Sequence, residues 1–225
     1  DNNTPSRIVG IIGYKITYGK DFGGSTSFNL VYIGEKTGAF SYTYSGDMNG
    51  DRISANDLIY VPKTPTEIRF QPLSVVSNGV TRVYTEAEQQ LAFDSYIKQD
   101  SYLRNRRGQY VERNSNILPM LHRIDLSVTQ DFYIKIGGKN NNFQFRADIL
   151  NFTNFINKDW GISQRVTNRN VLSYSALVNN EPYYKLATQT DAAGNRFLIK
   201  DTYQKNANIS DVWQAQFTLR YIFGK

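Results

Sequence analysis

The segment Asp47-Met48-Asn49-Gly50-Asp51 places side-chain oxygens at alternate positions, and Asp57 follows. Alternate oxygen donors around a Gly-bearing turn, closed by a distal carboxylate, form the pattern of a calcium loop. Hard oxygen donors without imidazole or thiol suit Ca²⁺. Two departures weigh against this. Arg52 stands where such loops carry Gly, and the last Asp comes one residue early. The competing reading is an Asp/Asn-Gly turn at the top of a strand. A structural calcium on Asp47, Asn49, Asp51 and Asp57 is therefore an expectation to be set against that turn.

Other chemistries have fewer residues to work with. There is no Cys, which excludes a disulfide framework and thiolate metal sites. His122 is the single His, so no imidazole cluster can form. His122 and Asp125 fall three apart on an alternating segment, hence on opposite faces, with no nucleophile beside them. Glu86 and Glu88 open a helical pattern and read as capping and solvation, not as a catalytic pair. The net charge of +6 is spread along the chain. Its densest basic run, Arg104, Arg106, Arg107 and Arg113, has only Tyr102 and Tyr110 nearby. A salt-bridged or solvated loop explains that run better than a nucleic-acid patch. Neither catalysis nor nucleic-acid binding is expected.

The elements that must carry these residues are long strands. Ile124, Leu126, Val128, Gln130, Phe132, Ile134 and Ile136 alternate with Asp125, Ser127, Thr129, Asp131, Tyr133 and Lys135. This period of two marks a strand wetted on one side. After a polar turn at 137–142, Phe143, Phe145, Ala147 and Ile149 alternate with Gln144, Arg146 and Asp148. The same pattern predicts strands over 7–18, 26–45 (kinked near Gly34 or Gly38) and 210–223. Thr85 with Glu88 forms a capping box that opens a helix over 85–97, with Leu91, Ala92 and Ser95 to Tyr96 at helical spacing.

Between the strands lie two long stretches, about 46–119 and 152–209, expected to be largely irregular with some shorter hairpins. Such loops are unusual in a compact domain. Alternating short and very long connections are expected of an outer-membrane barrel, with short periplasmic turns and long extracellular loops. No stretch of about 18 apolar residues reads as a membrane helix, and no signal peptide opens the chain. The mean hydropathy of −0.49 despite 14% aromatics fits strands with only alternate apolar positions. The expected fold is all-β, a transmembrane antiparallel β-barrel. About five spans leave two bare edges, so the chain reads as part of a larger barrel.

Several segments carry a family resemblance. They are Tyr42-Thr43-Tyr44-Ser45-Gly46-Asp47-Met48-Asn49-Gly50-Asp51, Asn56-Asp57-Leu58-Ile59-Tyr60-Val61-Pro62, and Arg106-Arg107-Gly108-Gln109-Tyr110-Val111-Glu112-Arg113-Asn114. They continue with His122-Arg123-Ile124-Asp125-Leu126, Asp148-Ile149-Leu150-Asn151-Phe152-Thr153-Asn154-Phe155-Ile156-Asn157-Lys158-Asp159-Trp160-Gly161, and Leu219-Arg220-Tyr221-Ile222-Phe223. In these the chain resembles the C-terminal end of a TonB-dependent outer-membrane receptor of the Oar-like type of Bacteroidota. The resemblance implies the last five strands of a 22-stranded barrel in the outer membrane of a Gram-negative cell. It implies import of a ligand such as a sugar, peptide or chelate. The plug domain and the TonB-contacting part would lie outside residues 1–225. Such chains usually end on an aromatic residue, whereas Gly224 and Lys225 follow Phe223 here.

On this reading Tyr14, Tyr18, Tyr42, Tyr44, Trp213, Tyr221 and Phe223 are aromatics of the membrane interfaces. Gln144, Arg146, Asp148, Gln214, Gln216 and Arg220 face the lumen, with Arg146 and Arg220 opposite plug carboxylates. The expected partners are the rest of the barrel and its plug, the TonB complex, outer-membrane lipid and lipopolysaccharide, and a surface lipoprotein. Two alternatives stay open: a surface adhesion or glycan-binding barrel without transport, and a soluble glycan-binding β-sandwich.

Overall fold

The computed structural model describes residues 6–19, 22–36, 38–206 and 208–223. The chain divides into two compact units, one from residues 1–38, 119–164 and 205–225, the other from residues 39–118 and 165–204. Both are built mainly of antiparallel β-structure.

The first unit is a five-stranded meander of β1 (Arg7–Gly19), β2 (Phe22–Lys36), β3 (Met120–Ile136), β4 (Lys139–Leu150) and β5 (Gln214–Ile222), with neighbours in that order. β1 to β3 have 13, 15 and 17 residues, two to three times the usual strand length. Register keeps the period of two coherent across the sheet. Tyr14 pairs with Phe28, Phe28 with Val128, Val128 with Ala147, and Ala147 with Phe217. These apolar residues therefore share one face. Ile12 and Tyr14 are 71% and 67% exposed there, and Phe217 and Leu219 68% and 76%. Among the described residues the sheet does not close, because β1 and β5 each have one neighbour.

Two expectations about the strands need correction. The strand expected over 26–45 runs from Phe22 to Lys36, and its tail belongs to the second unit as the short strands Ala39–Phe40 and Tyr44–Ser45. The polar turn at 137–142 is only Gly137-Gly138, between Ile136 and its partner Lys139. Both glycines have positive φ, 58° and 79°. A two-residue hairpin turn that matches strand twist needs such values, so the asparagines extend β4 instead. Lys20, Asp21, Gly224 and Lys225 lie outside the described residues.

The two long stretches are not structureless loops; most of their length folds into the second unit. Its helix α1 (Glu86–Gln99) starts where the capping box places it. Thr85 accepts the Glu88 N–H, and Glu88 accepts that of Thr85. The buried stripe is Gln89, Phe93, Tyr96 and Ile97, whereas Leu91 is 65% exposed. Gln89 draws the helix this way round. Its amide nitrogen donates to the Gln71 carbonyl at 2.8 Å and its oxygen accepts the Leu186 N–H at 3.1 Å. Beside α1 lies a four-stranded sheet in the order Tyr44–Ser45, Leu172–Val178, Glu181–Leu186, Arg69–Phe70. Its central pair is antiparallel and both outer pairings are parallel. Tyr42, Ile59, Phe70, Phe93, Tyr96, Leu103, Leu172 and Ile199 are all but sealed from solvent.

Phe93→Ala should cost the second unit about 3–5 kcal/mol, as a large-to-small core change does. Leu91→Ala should stay within about 0.5 kcal/mol. Denaturant midpoints followed by proteolysis within 39–118 check this, and equal effects would refute the assigned helix face.

Candidate functional site

The 47–57 loop is a closed polar turn. Asp47 accepts the Gly50 and Arg52 N–H groups at 2.7 Å each. Asn49 accepts from Asp51 N and donates its amide to the Asp51 carboxylate. Asp51 also accepts from Ile53 N and from the Asn56 amide. Asp57 reaches back to Met48 N at 2.7 Å. The Ile53 N–H, then the Asn56 and Asn49 amides, hold the Asp51 carboxyl below the usual range. Arg52, at the position where a calcium loop favours Gly, is in the left-handed region with φ 69°. The structure thus brings the four candidate ligands into one loop and turns each toward backbone or amide N–H groups. Among the described residues, no three His, Asp or Glu side chains gather as a metal cluster.

The six polar candidates on β4 and β5 do share a face. Gln144 pairs with Arg220, Arg146 with Thr218, Asp148 with Gln216, and Leu150 with Gln214. Five of the six, with Leu150 and Thr218, line a depression of about 460 Å³; Gln214 lies beside it at the end of β5. Arg146 Nε meets both Asp148 oxygens at 2.9 Å, and Nη2 meets Oδ1 at 2.8 Å. Asp148, the carboxylate that lines the depression, is paired with Arg146 and not with Arg220. Further along this face Asp131 is 6% exposed. It accepts from Ser25 Oγ, Asn142 Nδ2 and Gln144 Nε2 at 2.9–3.2 Å. The strand alternation places Asp131 on this face, but its burial was not legible, because the neutral donors come from the two flanking strands, β2 and β4.

The seven aromatics separate. Tyr18 sits beside the β1–β2 turn, Trp213 just before β5, and Tyr221 and Phe223 at the far end of β5. Trp213 packs edge-on against Phe155, and Tyr221 stacks on Phe143 at 4.4 Å. Tyr14 lies nearer mid-strand. Tyr42 and Tyr44 are not interface residues. They are 1% and 5% exposed in the core of the second unit. Tyr42 donates to the buried Asp100 at 2.6 Å and accepts from Tyr96 at 3.1 Å. Burial, then the neighbouring Tyr96 and Asp100, pushes the Tyr42 phenol far above its ordinary range. Alternation at 40–44 signals a half-buried strand without naming the core that buries it.

The remaining candidates settle as structural groups. His122 and Asp125 lie on opposite faces; His122 Nδ1 is 2.7 Å from Tyr32 Oη, and Asp125 accepts the Asn151 N–H. Glu88 is the cap, and Glu86 pairs with Arg69 at 2.6 Å. In the basic run, Arg106 pairs with Glu112 and Arg107 with Asp94. The Asn151-Phe152-Thr153-Asn154 segment acts as a clasp. Asn151 donates to the Gly161 and Asp211 carbonyls, and Asn154 donates to Trp160 O and accepts Trp213 N–H. Among the described residues, no helix is long and apolar enough to cross a membrane. Compared with known proteins, the chain matches no family model, no curated protein and no solved structure.

Asp47→Ala should speed proteolysis within 46–62 by removing two caps. Chelation separates the two readings of the loop in the unaltered protein. EDTA should accelerate the same cleavage if calcium occupies the loop, and leave it unchanged if hydrogen bonds alone hold it.

Proposed function

We propose that this chain is the C-terminal barrel portion of an outer-membrane, TonB-dependent uptake receptor, with the second unit as its ligand-facing part. The observation that carries this is the β1–β5 sheet. It presents an uncovered face of Ile, Leu, Phe and Tyr on strands long enough to span a bilayer. A face this large is ordinarily covered by protein or by lipid. The opposite face is polar, as a lumen requires. Both edge strands offer unpaired backbone to further strands, which lipid would otherwise leave unsatisfied. The chain's resemblance to Oar-like receptors adds direction, because it puts the short turns in the periplasm and the second unit outside. On this reading the plug and the TonB complex are partners through other parts of the receptor, and no reaction is catalysed. An adhesin without transport would share the barrel and lack the plug.

The purified protein should require detergent or lipid to stay monodisperse; a monodisperse preparation without either would sink the membrane reading. The faces give a finer check. Leu219→Arg should cost about 2–4 kcal/mol if its position lies near the bilayer midplane, whereas Gln216→Arg on the polar face should be tolerated. Folded yields in lipid vesicles read the difference, and equal losses would count against the assigned faces.

A further inference from the structure

We infer that the second unit carries a binding site for an acidic small molecule, with Arg113 and Arg169 as the anion-recognising pair. Both arginines line one cavity of about 320 Å³, together with Ser41, Thr43, Asn56 and Asn114 over an apolar floor that includes Phe40. No Asp or Glu lines it. The charge of the cavity wall is therefore carried by two guanidinium groups with nothing to balance them.

Several arginines of the same unit are held by carboxylates. Arg69, Arg106 and Arg107 each have a carboxylate within 2.6–2.8 Å. Neither Arg113 nor Arg169 has an ion pair or a side-chain hydrogen bond among the described residues, and both are exposed. Two arginines and no carboxylate among the lining residues give the cavity a positive bias that favours an anionic occupant. Guanidinium forks match carboxylate and phosphate oxygens two at a time.

The backbone beside each arginine is fixed by a single extended segment. Ser41 Oγ accepts the Asn114 N–H at 2.7 Å, which holds Asn114 in the left-handed region with φ 53° next to Arg113. Two residues on, Thr43 donates its N–H to the Arg169 carbonyl at 3.1 Å. Asn170 Nδ2 then donates to Thr43 Oγ1 at 2.7 Å. Residues 41 and 43 thus position both arginines, one from each of the two chain segments that build the unit. The volume suits one sugar acid or one phosphorylated sugar, at the small end of ligand pockets.

As a capture site for an imported ligand this proposal rests on the receptor reading; as a binding site it rests on the second unit alone. Calorimetric titration of the detergent-purified protein with glucuronate, inorganic phosphate and glucose tests it. Saturable binding of at least one acid is expected, weakening as ionic strength rises, with none for glucose. Tighter glucuronate assigns a carboxylated ligand, and tighter phosphate a phosphorylated one. R113Q or R169Q should each weaken binding about tenfold. The lysine pair R113K/R169K, which keeps the charge, should retain part of it. No saturable binding of either acid, or binding unmoved by R113Q and R169Q, would overturn the proposal. Detergent dependence of the same preparation reports on the receptor reading separately.

Discussion

Backbone hydrogen bonding along the sheet edge is the constraint from which the first unit follows. β2, β3 and β4 each have a hydrogen-bonded neighbour on both sides, while β1 and β5 have one each. Unpaired strand edges invite further pairing, and in an apolar medium they demand it. Register is the second half of the constraint. A slip of one residue would exchange the apolar and polar faces of a whole strand. Glycines at Gly24 and Gly34 help hold it, because a Cβ at either would meet the ring of Tyr18 or Tyr32 lying over it. The aromatic covers the bare backbone, a device that gives sheet glycines local support.

Buried charge is handled in the same way in both units. Asp131 in the sheet and Asp100 in the second unit are almost sealed from water and face neutral donors, not cations. Asp100 accepts from Tyr42, Thr202 and the Tyr102 and Leu103 N–H groups. Several hydrogen bonds to a carboxylate offset its desolvation without a second buried ion. Removing one donor from such a network costs more than an average hydrogen bond, since the oxygens left behind have no water to turn to.

The sheet was legible because one rule governs it. Period two over 124–136 fixes strand, face and length together, and β3 ends at Ile136 as that pattern implies. The helix start was legible from Thr85 and Glu88, since a cap is a local interaction. Its buried face was not, because Leu91 is the more apolar candidate, and the decisive partners of Gln89 are Gln71 and Leu186, remote in sequence. Tyr42 and Tyr44 failed for a related reason. Alternation says that one side of a strand is buried, but whether lipid or protein buries it depends on residues 96–100 and 172–184. The Arg113–Arg169 cavity shows the limit most clearly. Fifty-six positions separate the two residues, and only tertiary structure makes them neighbours of one cavity.

The second unit draws on two separate stretches of chain, and its sheet is sewn together where they meet: Tyr44 beside Leu172, and Arg69 beside Tyr183. Each pairing encloses more than a hundred residues. Loop closure on that scale makes such contacts late to form. Residues 39–118 must therefore wait, with Phe70 and Phe93 lacking their final surroundings, until β3, β4 and the clasp at Asn151 have been made and residues 165–204 arrive. Apolar surface left uncovered in such an interval is the kind that chaperones and proteases act on. The two long-range pairings thus tie the completion of this core to the second stretch.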